Sequence, residues 1–156
     1  MKTVIATMDN LLQLQKMPKN TKIIAYKVFG VDEKGRGKPP LRRSFQSGGE
    51  VRYKLKKGYS HKQMRCSKNP REECGKGLHV ATLDWCCDFW CVKQFGSKKN
   101  TQVWQVSFLS CNIGCVPVRP NWATGRAKPF GKFRVRKFTM VQRVDWRGNK
   151  YRARSK

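Results

Sequence analysis

The sequence predicts an α+β fold: a mainly antiparallel sheet with one principal helix, about residues 83–93, packed on it. Three patterns lead there. Runs rich in β-branched and aromatic residues, several of them strictly alternating, recur at 22–29, 51–55 and 104–108, as strands require. One stretch only, Leu83, Cys86, Cys87, Trp90 and Cys91, falls at i, i+3, i+4, i+7 and i+8, a single helix face. The resulting order of strand, strand, helix, strand, strand, strand does not alternate as a parallel α/β sheet would.

Taken in order, residues 1–20 read as a short appendage, with Leu11, Leu12 and Leu14 forming one or two helical turns ended by Pro18. Lys22 to Phe29 is the first core strand, and the Gly- and Pro-rich stretch from Gly30 to Pro40 is a loop. Val51-Arg52-Tyr53-Lys54-Leu55 alternates apolar and basic residues, which predicts a strand with one face of each kind. The segment between Lys57 and Gly77 is polar. Thr82 suits the N-cap of the helix, and Asp84 lies in its first turn, where the helix dipole favours an acid. Trp104, Val106 and Phe108 alternate on a strand, 113–118 is a further extended segment, and 119–131 is a loop. Residues 133–146 form the last strand region, with a change of parity near Arg136-Lys137 that predicts a β-bulge. The expected organisation is an appendage (1–20), one α+β domain (21–146) and a basic tail (147–156).

Charge dominates the composition: 35 Lys+Arg against 9 Asp+Glu, a formal +26 on 156 residues. Self-repulsion on this scale opposes compaction unless an anionic partner neutralises it. Five Trp and eight Phe argue against a disordered basic tail. The charge is segregated. Residues 34–71 carry thirteen basic residues and one acid, 119–156 again thirteen and one, and 81–115 three and two. A nearly neutral middle therefore supplies core, and two flanking segments supply a cationic surface. Seven cysteines, an odd number, point to free thiols in a reducing compartment. An N-terminus that reaches Asp9 early, and no apolar run near the length of about 20 residues that spans a bilayer, point to an intracellular or virion protein that is not secreted and has no membrane span.

Residues 74–89 contain Cys74-Gly75-Lys76-Gly77-Leu78-His79-Val80-Ala81-Thr82, which resembles a C-x-x-G-L-H-V motif of the domain at the C-terminal end of phage rapid-lysis B (rIIB-like) proteins. Ala25-Tyr26-Lys27-Val28, the valine-bearing strand at 103–108, Cys115-Val116-Pro117-Val118 and Lys132-Phe133-Arg134-Val135 are similar to further parts of that family in the same order, covering about residues 22–145. The resemblance implies a viral or phage-type origin and a fold, with Cys74, Gly77, Leu78 and His79 as the family motif. A strand ending in Leu-His-Val-Ala-Thr before a helix is also similar to ADP-ribosyltransferase-like folds, which need an acid on a late strand.

The residues themselves assemble no reaction centre. After Asp88 the one acid is Asp145, beside Trp146, so no acid–base set is assigned around His79 and no catalytic residue is named. His61, Cys66, Cys74 and His79 are suitable zinc ligands, as are Cys111 and Cys115, but neither set has the paired short spacing of a structural zinc site. No metal or cofactor is assigned.

The cationic segments remain as the functional signal. Arg42, Arg43, Lys54, Lys56 and Lys57 in the first, and Arg134, Arg136, Lys137, Arg143, Arg147, Lys150, Arg152 and Arg154 in the second, are the expected nucleic-acid contacts. Such groups neutralise phosphates and release counterions, giving affinity with little sequence preference. Phe138 and Trp146, interleaved among them, are expected in the core. The function expected is a non-enzymatic viral or phage-type protein binding nucleic acid, DNA or RNA, or acidic viral proteins. The alternatives are a minor capsid or cement protein of a virion and an ADP-ribosyltransferase-like enzyme.

Overall fold

The computed structural model describes residues 2–38, 52–62, 65–71, 76–91, 101–120 and 124–152. Its strands are β1 (Thr3–Ile5), β2 (Lys22–Val31), β3 (Gly37–Lys38), β4 (Ser60–Lys62), β5 (Leu78–Ala81), β6 (Thr101–Leu109), β7 (Ile113–Cys115), β8 (Val118–Pro120), β9 (Ala127–Pro129), β10 (Lys132–Val135) and β11 (Lys137–Val144). Helix α1 spans Leu83–Cys91. The molecule is sheet-rich and mainly antiparallel. Nine strands form one sheet along the path β4-β11-β6-β2-β5-β10-β7, with β1 and β3 joined to β2, while β8 and β9 form a separate ribbon.

The long, apolar β2 is the spine. One edge pairs with β6 over the whole of Lys22–Gly30. Its other edge is shared in turn by β1, which runs parallel, by β5 at the single pair Tyr26–Ala81, and by β3. Because β2 and β5 meet at one point, the sheet opens there into two leaves. The chain then forces the leaves together. Only Arg136 separates β10 from β11, yet β5, β2 and β6 lie between them in the sheet. A flat sheet would hold them about 19 Å apart at roughly 4.8 Å per strand, whereas the link through Arg136 spans at most about 7 Å. The sheet is therefore curled. The parity change near Arg136 marks a corner where the chain passes between leaves, and the register shifts fall elsewhere, at Arg134/Val135 and Met140/Gln142.

Two apolar clusters follow from this arrangement. The larger contains Ile23, Ala25 and Phe29 of β2, with Trp104, Val106, Phe108, Phe133 and Phe138. The smaller gathers Tyr26, Val28, Val103, Val144 and Cys86, with Leu83 and Trp85 of α1 packed against it. The expected N-cap of that helix is present: Thr82 Oγ1 accepts from the Trp85 N–H at 3.1 Å.

Several boundaries differ from the sequence expectation. Residues 1–20 belong to the core: β1 pairs with β2, and Leu11 and Leu14, on a short 3-10 turn, are 0% exposed. The 51–55 strand reduces, within 52–55, to an isolated bridge between Tyr53 and Gly37. The polar segment after Lys57 contains β4, and the 119–131 loop contains the β8–β9 ribbon. Residues 147–152 fold back on β11 through a Val144–Lys150 bridge, so no tail begins at 147. No described helix is long and apolar enough to cross a membrane.

Candidate nucleic-acid interface

The two basic segments, far apart in sequence, meet at the edge of the sheet. Strand β4 pairs with β11 so that Lys62 lies directly opposite Lys137, and Ser60 opposite Thr139. Like charges opposite each other on neighbouring strands repel, and a bound anion relieves that repulsion. The Gly58 N–H donates to the Met140 carbonyl and the Met140 N–H to that of Tyr59, holding the approach to β4 against β11. Lys54, Lys56 and Lys57 on that approach are exposed, and the Lys54 ammonium lies 5.2 Å from the centre of the exposed Tyr59 ring. Arg136 and Lys137 are half-buried, with Arg136 Nη1 donating to the Cys111 carbonyl.

At the far end of β11 the chain makes a tight hairpin. Asp145-Trp146-Arg147-Gly148 has Asp at the first and Gly at the fourth position, the residues a β-turn favours there. The Gly148 N–H donates to the Asp145 carbonyl at 2.9 Å, and Asp145 Oδ1 accepts from the N–H groups of Arg147 and Asn149 at 2.9 and 3.0 Å. Gly148 has φ +87°, and an added Cβ would stand 2.7 Å from Leu83 Cδ2, so the turn seats on α1 where only glycine fits. The Cys87 thiol donates to the Trp146 carbonyl, a second tie to α1. After the turn, the Tyr151 N–H donates to the Arg143 carbonyl at 3.0 Å.

This frame leaves the two corner residues and the returning strand facing outward. Trp146 is 46% exposed and Tyr151 40%, so Trp146, expected in the core, is a surface ring, while Phe138 is buried as expected. The Arg143 guanidinium stacks 3.5 Å from the Tyr151 ring centre, and that of Arg147 lies 5.5 Å from the Trp146 ring. Arg147, Lys150 and Arg152 are exposed. Asp145, Trp146, Asn149, Lys150, Tyr151 and Arg152 line an open concavity of about 710 Å³.

One expected contact is corrected outright. Arg134 is 0% exposed. Strand β10 pairs on one side with β5 and on the other with β7, and the Arg134 guanidinium turns inward to donate to the Ser67 and Asn69 carbonyls at 2.9 and 2.8 Å. It straps the 65–71 segment to the sheet and is unavailable to a phosphate. Arg42, Arg43 and Arg154 lie outside the described residues, as does Cys74.

The rest of the Gly77-Leu78-His79 motif is explained by packing around that strap. Gly77 has φ +135°, and an added Cβ there would meet Cys66 Sγ at 2.8 Å and Arg134 Cβ at 3.2 Å. Gly114, facing it, would place a Cβ 2.1 Å from the same sulfur. The two glycines thus form a slot for the Cys66 thiol, whose pKa burial raises against the opposing pull of Arg134 and Arg136. Leu78 is buried in the larger cluster. His79 is half-buried opposite Arg134, and its backbone carbonyl accepts from the Lys27 ammonium. No group of three or more His, Cys, Asp or Glu residues able to hold a metal occurs among the described residues.

Lys27 is the residue that sequence reasoning passed over. It sits mid-strand in Ile23-Ile24-Ala25-Tyr26-Lys27-Val28-Phe29, is buried, and lies 5.6 and 5.1 Å from the Phe29 and Tyr53 ring centres. Burial, reinforced by Lys132 and opposed by Cys86, brings its pKa down to about 7. Burial pushes Tyr53, beside it, up to about 12. His61 packs against Tyr53 at 5.2 Å, and its pKa is lowered by burial and by Lys27 despite a hydrogen bond to the Lys54 carbonyl. A lone lysine inside an apolar strand was the available signal.

In comparisons with known proteins, no family model matches the chain, and neither a curated protein nor a solved structure matches it.

Proposed function

We propose that this chain is a non-enzymatic basic protein of viral or phage type that binds nucleic acid with little sequence preference. The binding surface is the β4–β11 edge together with the 143–152 hairpin. The observation that supports this reading most is the convergence of two separate cationic segments on one strand, β11, with Lys62 facing Lys137 at one end and the Arg- and Lys-bearing hairpin at the other. The resemblance of the Gly77-Leu78-His79 stretch to phage rapid-lysis B domains supports the origin. The arrangement around His79 supports a packing role for the motif, since its neighbours are a buried arginine strap and a buried lysine.

The test is the salt dependence of binding to DNA and RNA of unrelated sequences. If the exposed Lys56, Lys57, Lys62, Arg147, Lys150 and Arg152 each neutralise one phosphate, log K falls against log salt with a slope of about −5 on duplex and about −4 on single strands. Each alanine substitution among them makes the slope shallower by just under about one unit. Absence of binding to any nucleic acid at low salt overturns the reading.

A further inference from the structure

The hairpin at 143–152 holds more than charge. Six large apolar side chains are exposed among the described residues, and two of them, Trp146 and Tyr151, stand on this one turn. A solvated cationic surface needs neither ring. The Tyr151 ring is stacked against the Arg143 guanidinium, and Trp146 stands at a corner of a turn whose backbone is tied by Asp145 and clipped to α1 by Cys87. A ring already stacked on one side, or carried on a fixed backbone, loses less conformational entropy when a flat partner lies on it. The concavity of about 710 Å³ that both rings line falls within the roughly 300–1,000 Å³ of small-molecule sites, so it has room for bases. The one carboxylate in its wall, Asp145, already accepts from two backbone N–H groups within the turn.

We infer that this hairpin is a stacking site for unpaired bases, with Trp146 and Tyr151 as the platforms and Lys150 and Arg152 as the phosphate contacts, so that the protein's ligand is single-stranded nucleic acid. The inference rests on the nucleic-acid reading above and adds the ligand class. Every base presents a π-face, so stacking adds affinity without adding sequence preference. In a duplex those faces are covered by neighbouring pairs, and the two rings have nothing to lie against. A cationic edge alone would favour the duplex, whose phosphates are denser. The rings reverse that preference.

The experiment uses the full chain and three labelled probes at moderate salt: an oligothymidylate, an abasic strand of the same length, and a duplex of matched length. The oligothymidylate should bind roughly tenfold or more tighter than the abasic strand. Trp146→Ala and Tyr151→Ala should each remove much of that gap and leave abasic and duplex affinities unchanged. Trp146→Phe and Tyr151→Phe should keep the gap, which separates a lost ring face from a disturbed turn. The stacking inference is overturned, with polyanion binding left standing, by any of three results: equal affinity for base-bearing and abasic strands, a preference for duplex, or alanine variants that match the wild type or weaken all three probes alike. Failure to bind any probe overturns the nucleic-acid reading itself.

Discussion

Replacing Lys27 by methionine isolates the energetic cost of a cation in the core of this protein. Its pKa falls from 10.5 to about 7 in the folded state, with burial as the main cause and Lys132 adding repulsion. The folded pKa lies below the unfolded one, so between about pH 7 and pH 10.5 the unfolded chain holds a proton that the native protein lacks. Stability therefore rises with pH through that window and is lowest below it. At about 1.36 kcal/mol per unit the full swing is about 5 kcal/mol, and about 2–3 kcal/mol of it falls between pH 7.5 and 9.5. Methionine has a similar unbranched shape and no charge. Lys27→Met should remove this contribution to the slope and raise stability at pH 7.5 by about 2–3 kcal/mol, after allowing about 1–2 kcal/mol for the hydrogen bond lost at the His79 carbonyl. The assay is urea unfolding of both proteins across pH 7.5 to 9.5, with unchanged m-values as the control for an unaltered unfolded state. His61, lowered by burial, and Tyr53, raised to about 12, act outside this window. Burial raises the Cys66 and Cys86 thiols above their ordinary 9.0, which lowers the stability of both proteins towards its upper end, so the difference between the two curves isolates Lys27. Parallel stability curves for the two proteins would refute the reasoning, as would a methionine variant less stable than wild type throughout.

Two further outcomes test the architecture. Leu14→Ala should cost about 2–5 kcal/mol in denaturant unfolding, because the residue is fully buried and a cavity remains; a change below about 0.5 kcal/mol would return residues 1–20 to the status of an appendage. Arg134→Met should destabilise the fold by about 1–3 kcal/mol through the lost hydrogen bonds to the Ser67 and Asn69 carbonyls, yet leave the salt slope of nucleic-acid binding unchanged; a shallower slope in a folded variant would place Arg134 back among the phosphate contacts.

Much of the local structure was legible. The spacing of Leu83, Cys86 and Cys87, with Thr82 ahead of them, marked α1 and its cap, and the alternation of Trp104, Val106 and Phe108 marked β6 and the face it buries. These are properties of residues within one or two turns, or one strand, of each other. The hairpin was legible in principle, since Asp145-Trp146-Arg147-Gly148 carries turn residues at its first and fourth positions. Trp146 was misjudged because an aromatic among basic residues on a strand pattern reads as core, and the reversal that turns it outward depends on the seat Leu83 provides for Gly148.

The sequence by itself determined that the chain is cationic, that its charge lies in two segments around a neutral middle, and that the middle contains an amphipathic helix and a buried strand. Composition and short-range periodicity suffice for those statements. Only the tertiary structure decided which cations are available. Arg134 reads in sequence like the other cations of its basic segment, but β10 lies between β5 and β7; Lys27 stands alone among apolar residues, and β2 lies between β6 and the strands along its other edge. Whether a side chain on such a strand meets water or carbonyls depends on partners far along the chain, as in the bond from Arg134 to Ser67, 67 residues away. The same non-local pairing set Lys62 against Lys137 and so joined two basic segments into one surface.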